Sequence, residues 1–291
     1  MVALQLVLSG TALGCIYALI ALGFVLIYKA TETVNFAQGE LMMLGAFCAL
    51  VLMKFVGLPF LLAALVAVVG MACFGALMER CVIRPILGQP QFTVVMMTIG
   101  AGYVMRGLIT MIPEIGTDTH VLPAPYRGEV IRIGPAVLGA EQVVVIAVTA
   151  LLCAALYLFF KHGKVGIAMQ AASQNQLAAY YVGIPVQRLN ALVWGLSAVV
   201  ATVAGLLLAP IMFVHANMGF IGLKAFPAAV VGGFGSLPGA VVGGLIIGLA
   251  ESFSGFYLPE GFKDIAAYIV VLVMLVIMPN GLFGENLRKK V

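Results

Sequence analysis

The sequence predicts an all-α fold, a polytopic transmembrane helical bundle with about eight membrane segments, and three observations carry that expectation. Hydrophobic residues make up 63% of the 291-residue chain and charged residues only 9%, against roughly 25% charged in a soluble domain. Apolar runs of spanning length recur along the chain, and a helix needs ~20 mostly apolar residues to cross ~30 Å of hydrocarbon. The chain also carries 34 glycines, which suits a bundle whose helices lie close and rock on small contact residues.

The segments follow in order. Leu4 to Ile27 is the first run; it starts almost at Met1, with no basic leader and no small-residue cleavage site, and is expected to be a retained span. Leu41 to Met53 with its flanks, Pro59 to Leu77 and Thr93 to Met111 are the next three. Between 113 and 142 lies a loop in which Pro113, Pro123, Pro125 and Pro135 exclude a continuous helix, while Glu129-Val-Ile-Arg-Ile-Gly134 alternates as a short strand does. A small hairpin lid is expected there, either meeting a soluble protein or serving as a connector. Val143 to Phe160, Leu189 to Phe213, Ala240 to Phe256 and Ile265 to Met278 complete the set, and Lys224 to Gly233 is too short to cross alone. The whole of 1–291 reads as a single membrane domain.

Basic residues in the short loops orient it. With alternating spans, Lys29, Arg80, Arg84, Lys161, Lys164, Arg188, Arg288, Lys289 and Lys290 fall on one side, which is then cytoplasmic. Lys54, Arg127, Arg132, Lys224 and Lys263 fall on the other, mixed with Glu114, Asp118, Glu129, Glu141, Glu260 and Asp264. The amino terminus is expected outside and the carboxyl terminus inside. The net charge of +4 is therefore topogenic, and no basic patch interleaved with aromatics points to nucleic acid.

One segment is expected to be broken or re-entrant. Gly232, Gly233, Gly235, Pro238 and Gly239 interrupt an apolar region, and irregular backbone at membrane depth must be buried in protein or line a wet cavity. Two short helices meeting at a break satisfy this; a tight loop at the surface is the alternative. Gly235, Gly239 and Gly243 recur at every fourth position, with Gly244 and Gly248 on a neighbouring face, so backbones can approach there, either at a subunit seam or in ordinary packing within the chain.

Ionisable groups inside the membrane are costly unless they face protein or water. Glu40 closes Asn35-Phe-Ala-Gln-Gly-Glu40, where two amides and an acid gather before an apolar run. Capping alone does not call for all three, so Asn35, Gln38 and Glu40 are candidates for a translocation path. Arg106 and Glu251 read as a structural pair. His120, His162 and His215 have no ligand spacing and the five cysteines no CxxC, so neither a metal nor a disulfide is expected. Gly235-Ser236 lacks the Gly-x that precedes a nucleophile elbow, and no Gly-x-x-x-x-Gly-Lys-Ser/Thr occurs. The chain is expected to be no enzyme and to hold no cofactor of its own.

Lys161 to Arg188 is polar, small and helix-forming, set between two apolar runs and stopped by Gly183 and Pro185. One short cytoplasmic helix is expected, able to sit in another protein's groove. It resembles the coupling loop of ABC importer permeases, whose Glu-Ala-Ala, later glycine and Ile-Pro turn are matched by Met169-Gln170-Ala171-Ala172, Gly183 and Ile184-Pro185, with Gln170 where the pattern has an acid. Val34-Asn-Phe-Ala-Gln-Gly-Glu-Leu-Met-Met-Leu-Gly-Ala46 and Phe226-Pro-Ala-Ala-Val-Val-Gly-Gly-Phe-Gly-Ser-Leu-Pro-Gly-Ala240 are similar to signatures of the branched-chain amino acid ABC importer permease family, H-type subunit.

That resemblance implies a plasma-membrane heterodimer with a second, M-type permease, two cytoplasmic ATPase subunits that bind ATP and Mg, and an extracytoplasmic substrate-binding protein. It implies ATP-driven inward transport of branched-chain or related amino acids by alternating access; relatives in the family are associated with urea and short amides. A self-sufficient secondary transporter or channel is the rival reading, and it calls for coupling acids or a selectivity ring deeper in the membrane. An intramembrane hydrolase built on Ser236 is a third.

Overall fold

The structure is a computed structural model that describes residues 2–133 and 136–284. Gly134 and Pro135 of the expected hairpin, and the terminal Arg288, Lys289 and Lys290, lie outside the described residues. Eleven α-helices run in order: α1 (Val2–Thr31), α2 (Gln38–Phe55), α3 (Phe60–Met78), α4 (Gln91–Thr110), α5 (Ala140–His162), α6 (Lys164–Gln174), α7 (Gln176–Tyr181), α8 (Val186–Met212), α9 (Gly219–Gly232), α10 (Leu237–Tyr257) and α11 (Phe262–Ile277). Seven of the described helices are long and apolar enough to cross a membrane. The eighth expected span, Ile265 to Met278, becomes α11 of 16 residues, short of full crossing length because Gly261 takes a left-handed φ of 95° just before it and Pro279 follows its end.

α1, α8, α10 and α2 form the centre, and the exposed faces belong to α3, α4 and α5. The most apolar stretch of α1 is 89% buried and that of α8 72%, against 22% for α3 and α5 and 28% for α4. Small residues make the centre possible. α1 and α10 run antiparallel, so close that a Cβ added to Gly10 would lie 2.9 Å from Ser252 Cβ, and one on Gly14 2.8 Å from Leu245 Cα. Larger side chains fill in around this contact, with Trp194, Tyr17, Phe24 and Phe47 wholly buried.

One end of the bundle is basic. There α3 continues through a π-turn (Glu79–Ile83) and a 3-10 turn (Arg84–Ile86). Arg84 Nη2 reaches the buried Glu79 carboxylate at 2.7 Å and donates to the Gln187 carbonyl at 3.1 Å, fastening the end of α3 to the start of α8. Lys29, Lys161 and Lys164 belong to the same end.

The opposite end carries the hairpin: β1 (Val130–Ile133) pairs antiparallel with β2 (Ala136–Gly139), with Val130 opposite Gly139. The loop before it is packed down. Tyr126 meets the Phe60 ring edge-on at 5.9 Å, and burial pushes its phenol up to about 12, with the Glu141 carboxylate adding to the shift. His120 and Val214 exchange two backbone hydrogen bonds of 2.8 Å, tying this loop to the connector between α8 and α9.

Candidate functional site

After α1 the chain re-enters the bundle without helix, and α2 begins only at Gln38. The freed backbone groups of this stretch find partners among side chains. The Phe36 amide donates to Thr98 Oγ1 at 3.2 Å, and the Ala37 amide to Asn35 Oδ1 at 3.1 Å. Gln38 Nε2 donates to the Ser197 carbonyl at 3.3 Å, and the Ser197 hydroxyl lies 2.9 Å from Gln38 Oε1 and 3.0 Å from the Gly23 carbonyl. Asn35, Gln38 and Ser197 are all fully buried. Each amide of the Asn35–Gln38 pair is thus held inside protein, which is the condition for irregular backbone at this depth.

Glu40, one turn on, is in a different situation. Its carboxylate pairs with the Arg106 guanidinium of α4, Nη2 to Oε1, with Nε 3.4 Å from Oε2. This corrects the expected Arg106–Glu251 pairing: Glu251 of α10 instead accepts a hydrogen bond of 2.5 Å from the Tyr17 hydroxyl of α1. Two glycines frame the Glu40 carboxylate. A Cβ on Gly219 would fall 2.5 Å from Oε2, and one on Gly102 would fall 3.2 Å from Cγ. The Arg106 guanidinium stacks on the Phe220 ring at 3.9 Å and lies 5.8 Å from the Tyr103 ring. The start of α2, the middle of α4 and the start of α9 therefore meet at one ion pair. Sequence reasoning singled out Glu40 and Arg106 separately but missed Gly219 and Phe220, which follow the polar interruption at His215 to Asn217, and Gly102, which carried no signal of its own.

The break between α9 and α10 is a four-residue turn, Gly233–Ser236, at the basic end. Gly233 takes a φ of 94°, and Ser236 caps α10 by accepting the Gly239 amide at 3.1 Å. The amides of Leu282 and Phe283 donate to the Val231 and Gly232 carbonyls at 2.9 and 3.1 Å, so backbone satisfies backbone here. Gly239 and Gly243 face α9, while Gly244 and Gly248 face α1. Gly235 has nothing within 4 Å of where a side chain would begin. It belongs to the turn and takes no part in helix packing. Two cavities of about 790 and 750 Å³ adjoin this turn, sharing Lys29, Gln170 and Gly235 in their walls.

Lys161 to Arg188 leaves the bundle as two helices where one was expected. Asn175, in extended conformation, ends α6 and caps α7 by accepting the Ala178 amide at 2.9 Å. Gly183 closes α7 with a φ of 85°, Ile184 is half-buried, and Pro185 precedes α8. Met169 and Ala172 are buried against the bundle, and Gln170 Nε2 donates to the Phe160 carbonyl at 3.2 Å; of this quartet Ala171 is directed outward. The large exposed apolar surface lies further along, with Leu177 70%, Tyr180 68%, Tyr181 82% and Val182 76% exposed. Of the residues matched by the sequence pattern, Met169 and Ala172 hold α6 against the bundle, while Gln170 and Ala171 are exposed.

Residues 6–279 match the family model for the branched-chain amino acid transport system / permease component. The chain is 32% identical to the high-affinity branched-chain amino acid transport system permease protein LivH of Escherichia coli (strain K12), over 99% of this chain and 97% of that one. It is 30% identical to the corresponding protein BraD of Pseudomonas aeruginosa, over 99% and 98%. With the probable branched-chain amino acid transport permease protein LivH of Methanocaldococcus jannaschii it shares 31% identity, over 93% and 89%. Among solved structures, PsaBC from Streptococcus pneumoniae in complex with Fab spans 95% of this chain and 91% of that one at 16% identity and a TM-score of 0.49, too slight a likeness to carry an argument.

Proposed function

We propose a transport cycle from one premise: the chain belongs to the branched-chain amino acid transport system permease family. In this reading it is one of two permeases of an ATP-driven importer in the plasma membrane, moving branched-chain or related amino acids inward. The basic end faces the cytoplasm, the hairpin end faces outward towards a soluble binding protein, the amino terminus is outside and the carboxyl terminus inside. ATP and Mg are held by two partner ATPases, whose closure pushes on α6–α7 and rocks the bundle between outward- and inward-open forms.

The observation that carries this reading is the exposed apolar face of α7 at the basic end, beyond the membrane helices. Three large side chains on so short a helix, with Val182 just past its end, are unfavourable in water and suit a groove in a second protein. α6 supplies the stiffness: Met169 and Ala172 are buried, and Gln176 Nε2 donates to the Ala30 carbonyl at 2.8 Å, so a push on α7 reaches the end of α1. Glu40 stands nearest the path, while Asn35 and Gln38 hold the broken backbone behind it. Gly239, Gly243, Gly244 and Gly248 give the helices smooth faces on which to shift.

The test is uptake of leucine into proteoliposomes holding the full complex with binding protein. Uptake should require ATP. Tyr181→Glu should leave the permease in the membrane and lower uptake by about tenfold or more, as loss of a buried aromatic anchor does at an interface. Undiminished uptake removes α7 from coupling, and uphill uptake by this chain without ATPases ends the importer reading.

A further inference from the structure

We infer that Arg106 is the residue that reads the substrate carboxylate, and that Glu40 holds its place on the guanidinium until a zwitterion arrives. The inference rests on the amino acid importer reading above and goes on to name the chemistry of recognition.

The pair is built unlike a plain structural bridge. The described residues hold two further acid–base pairs: Glu79–Arg84, five residues apart at a helix end, and Lys224–Asp264 between α9 and α11, whose Asp264 side chain is 68% exposed. Glu40 and Arg106 join separate helices across the bundle, with side chains 10% and 14% exposed. An ion pair at such a depth forgoes much hydration, and apolar replacements often hold a bundle at least as well. A pair that costs this much and adds little to packing points to use.

The surroundings are cut to a carboxylate. Gly219 and Gly102 let two helices close around the Glu40 carboxylate, which a single added carbon on Gly219 would overlap. Phe220 covers one face of the guanidinium, and both Phe220 (46% exposed) and Tyr103 (64%) lie on the outside of this chain. Only these two rings separate the pair from the rim of the bundle, and in the proposed path between two permeases their movement would open it.

An amino acid carries the same two charges as the pair. Its carboxylate can take the Arg106 fork from Glu40, and its ammonium can take the carboxylate so released. Four charges then stand as two satisfied pairs and none is stranded in a poorly solvated site. Urea or a short amide offers neither charge and cannot make this exchange. The planar guanidinium matters because it grips a carboxylate with two parallel hydrogen bonds, which an ammonium does not.

The experiment compares wild type, E40Q/R106Q and R106K in the reconstituted complex, reading leucine uptake, ATPase stimulation by the loaded binding protein, and recovery of the assembled complex. The neutral double variant keeps a hydrogen-bonded pair of similar shape. We expect it to assemble and respond to the binding protein, with uptake down about ten- to a hundredfold, the worth of a charge-assisted hydrogen bond. Uptake at the wild-type rate would show a structural latch and overturn the inference. If the double variant does not assemble, R106K decides: reduced uptake in an intact complex supports carboxylate reading, and wild-type uptake overturns it. Loss of ATP-dependent leucine uptake in the wild type itself would overturn the importer reading instead, so the two failures are distinguishable.

Discussion

The bundle contains two breaks, and they are built on opposite plans. At Glu32 to Ala37 the chain runs unwound into the protein, the end of this stretch held by Asn35, Gln38, Thr98 and Ser197. At Gly233 to Ser236 it turns at the basic end, held by backbone from 282 and 283 and by one serine cap, beside two cavities. The first is tight and side-chain-dependent; the second is roomy and backbone-dependent. A break deep in a membrane must bring its own polar side chains, whereas one near the surface can use turn geometry.

The largest expected contrast is steric. A Cβ on Gly39 would collide with the Gly219 carbonyl, whereas one on Gly235 meets open space. Gly39→Leu should cost about 3 kcal/mol or more through overpacking against backbone, and its thermal unfolding in detergent should show most of the protein misfolded. Gly235→Leu should unfold like wild type; equal damage at both sites would erase the distinction.

A smaller contrast is polar. Gln38→Leu leaves the Ser197 hydroxyl with a single acceptor and Asn35 Nδ2 without its bond of 3.4 Å. Burying such unsatisfied groups costs about 1–3 kcal/mol, to be read as a lowered unfolding midpoint. Unchanged stability would mean that the amides are not what holds this break. The smallest effect is expected at Ser236→Ala, which removes one helix cap at the roomy break and should cost about 1 kcal/mol. A loss as large as that of Gln38→Leu would bring the two breaks under one rule.

Much of this was legible in the residues. Apolar run length located seven spanning helices, because a helix in lipid has little freedom in how long it is. Alternation at 129–133 located a strand, and the glycine–proline cluster located the second break. The partner of Arg106 was not legible, since ion pairs are spatial: the sequence reading gave it Glu251, and the fold gives it Glu40. Nor was Ser197, one hydroxyl in a long apolar helix. The division of α6 from α7 was legible in principle: Asn175 is a good cap, and the residue types after it continue the helix. The exposure of Leu177 and Tyr181 was not legible either, because the pattern Met169 to Ala172 says nothing about which side chains beyond it the fold leaves uncovered.

The central position of α1 bears on how the protein is made. Its tightest neighbour is α10, and the bonded residues Tyr17 and Glu251 are 234 positions apart. At about 5–20 residues per second, α10 leaves the ribosome roughly 12 to 47 s after the residues it must clasp. For that interval the glycine face of α1 is without its mate, so a chain interrupted before α10 strands its own first helix.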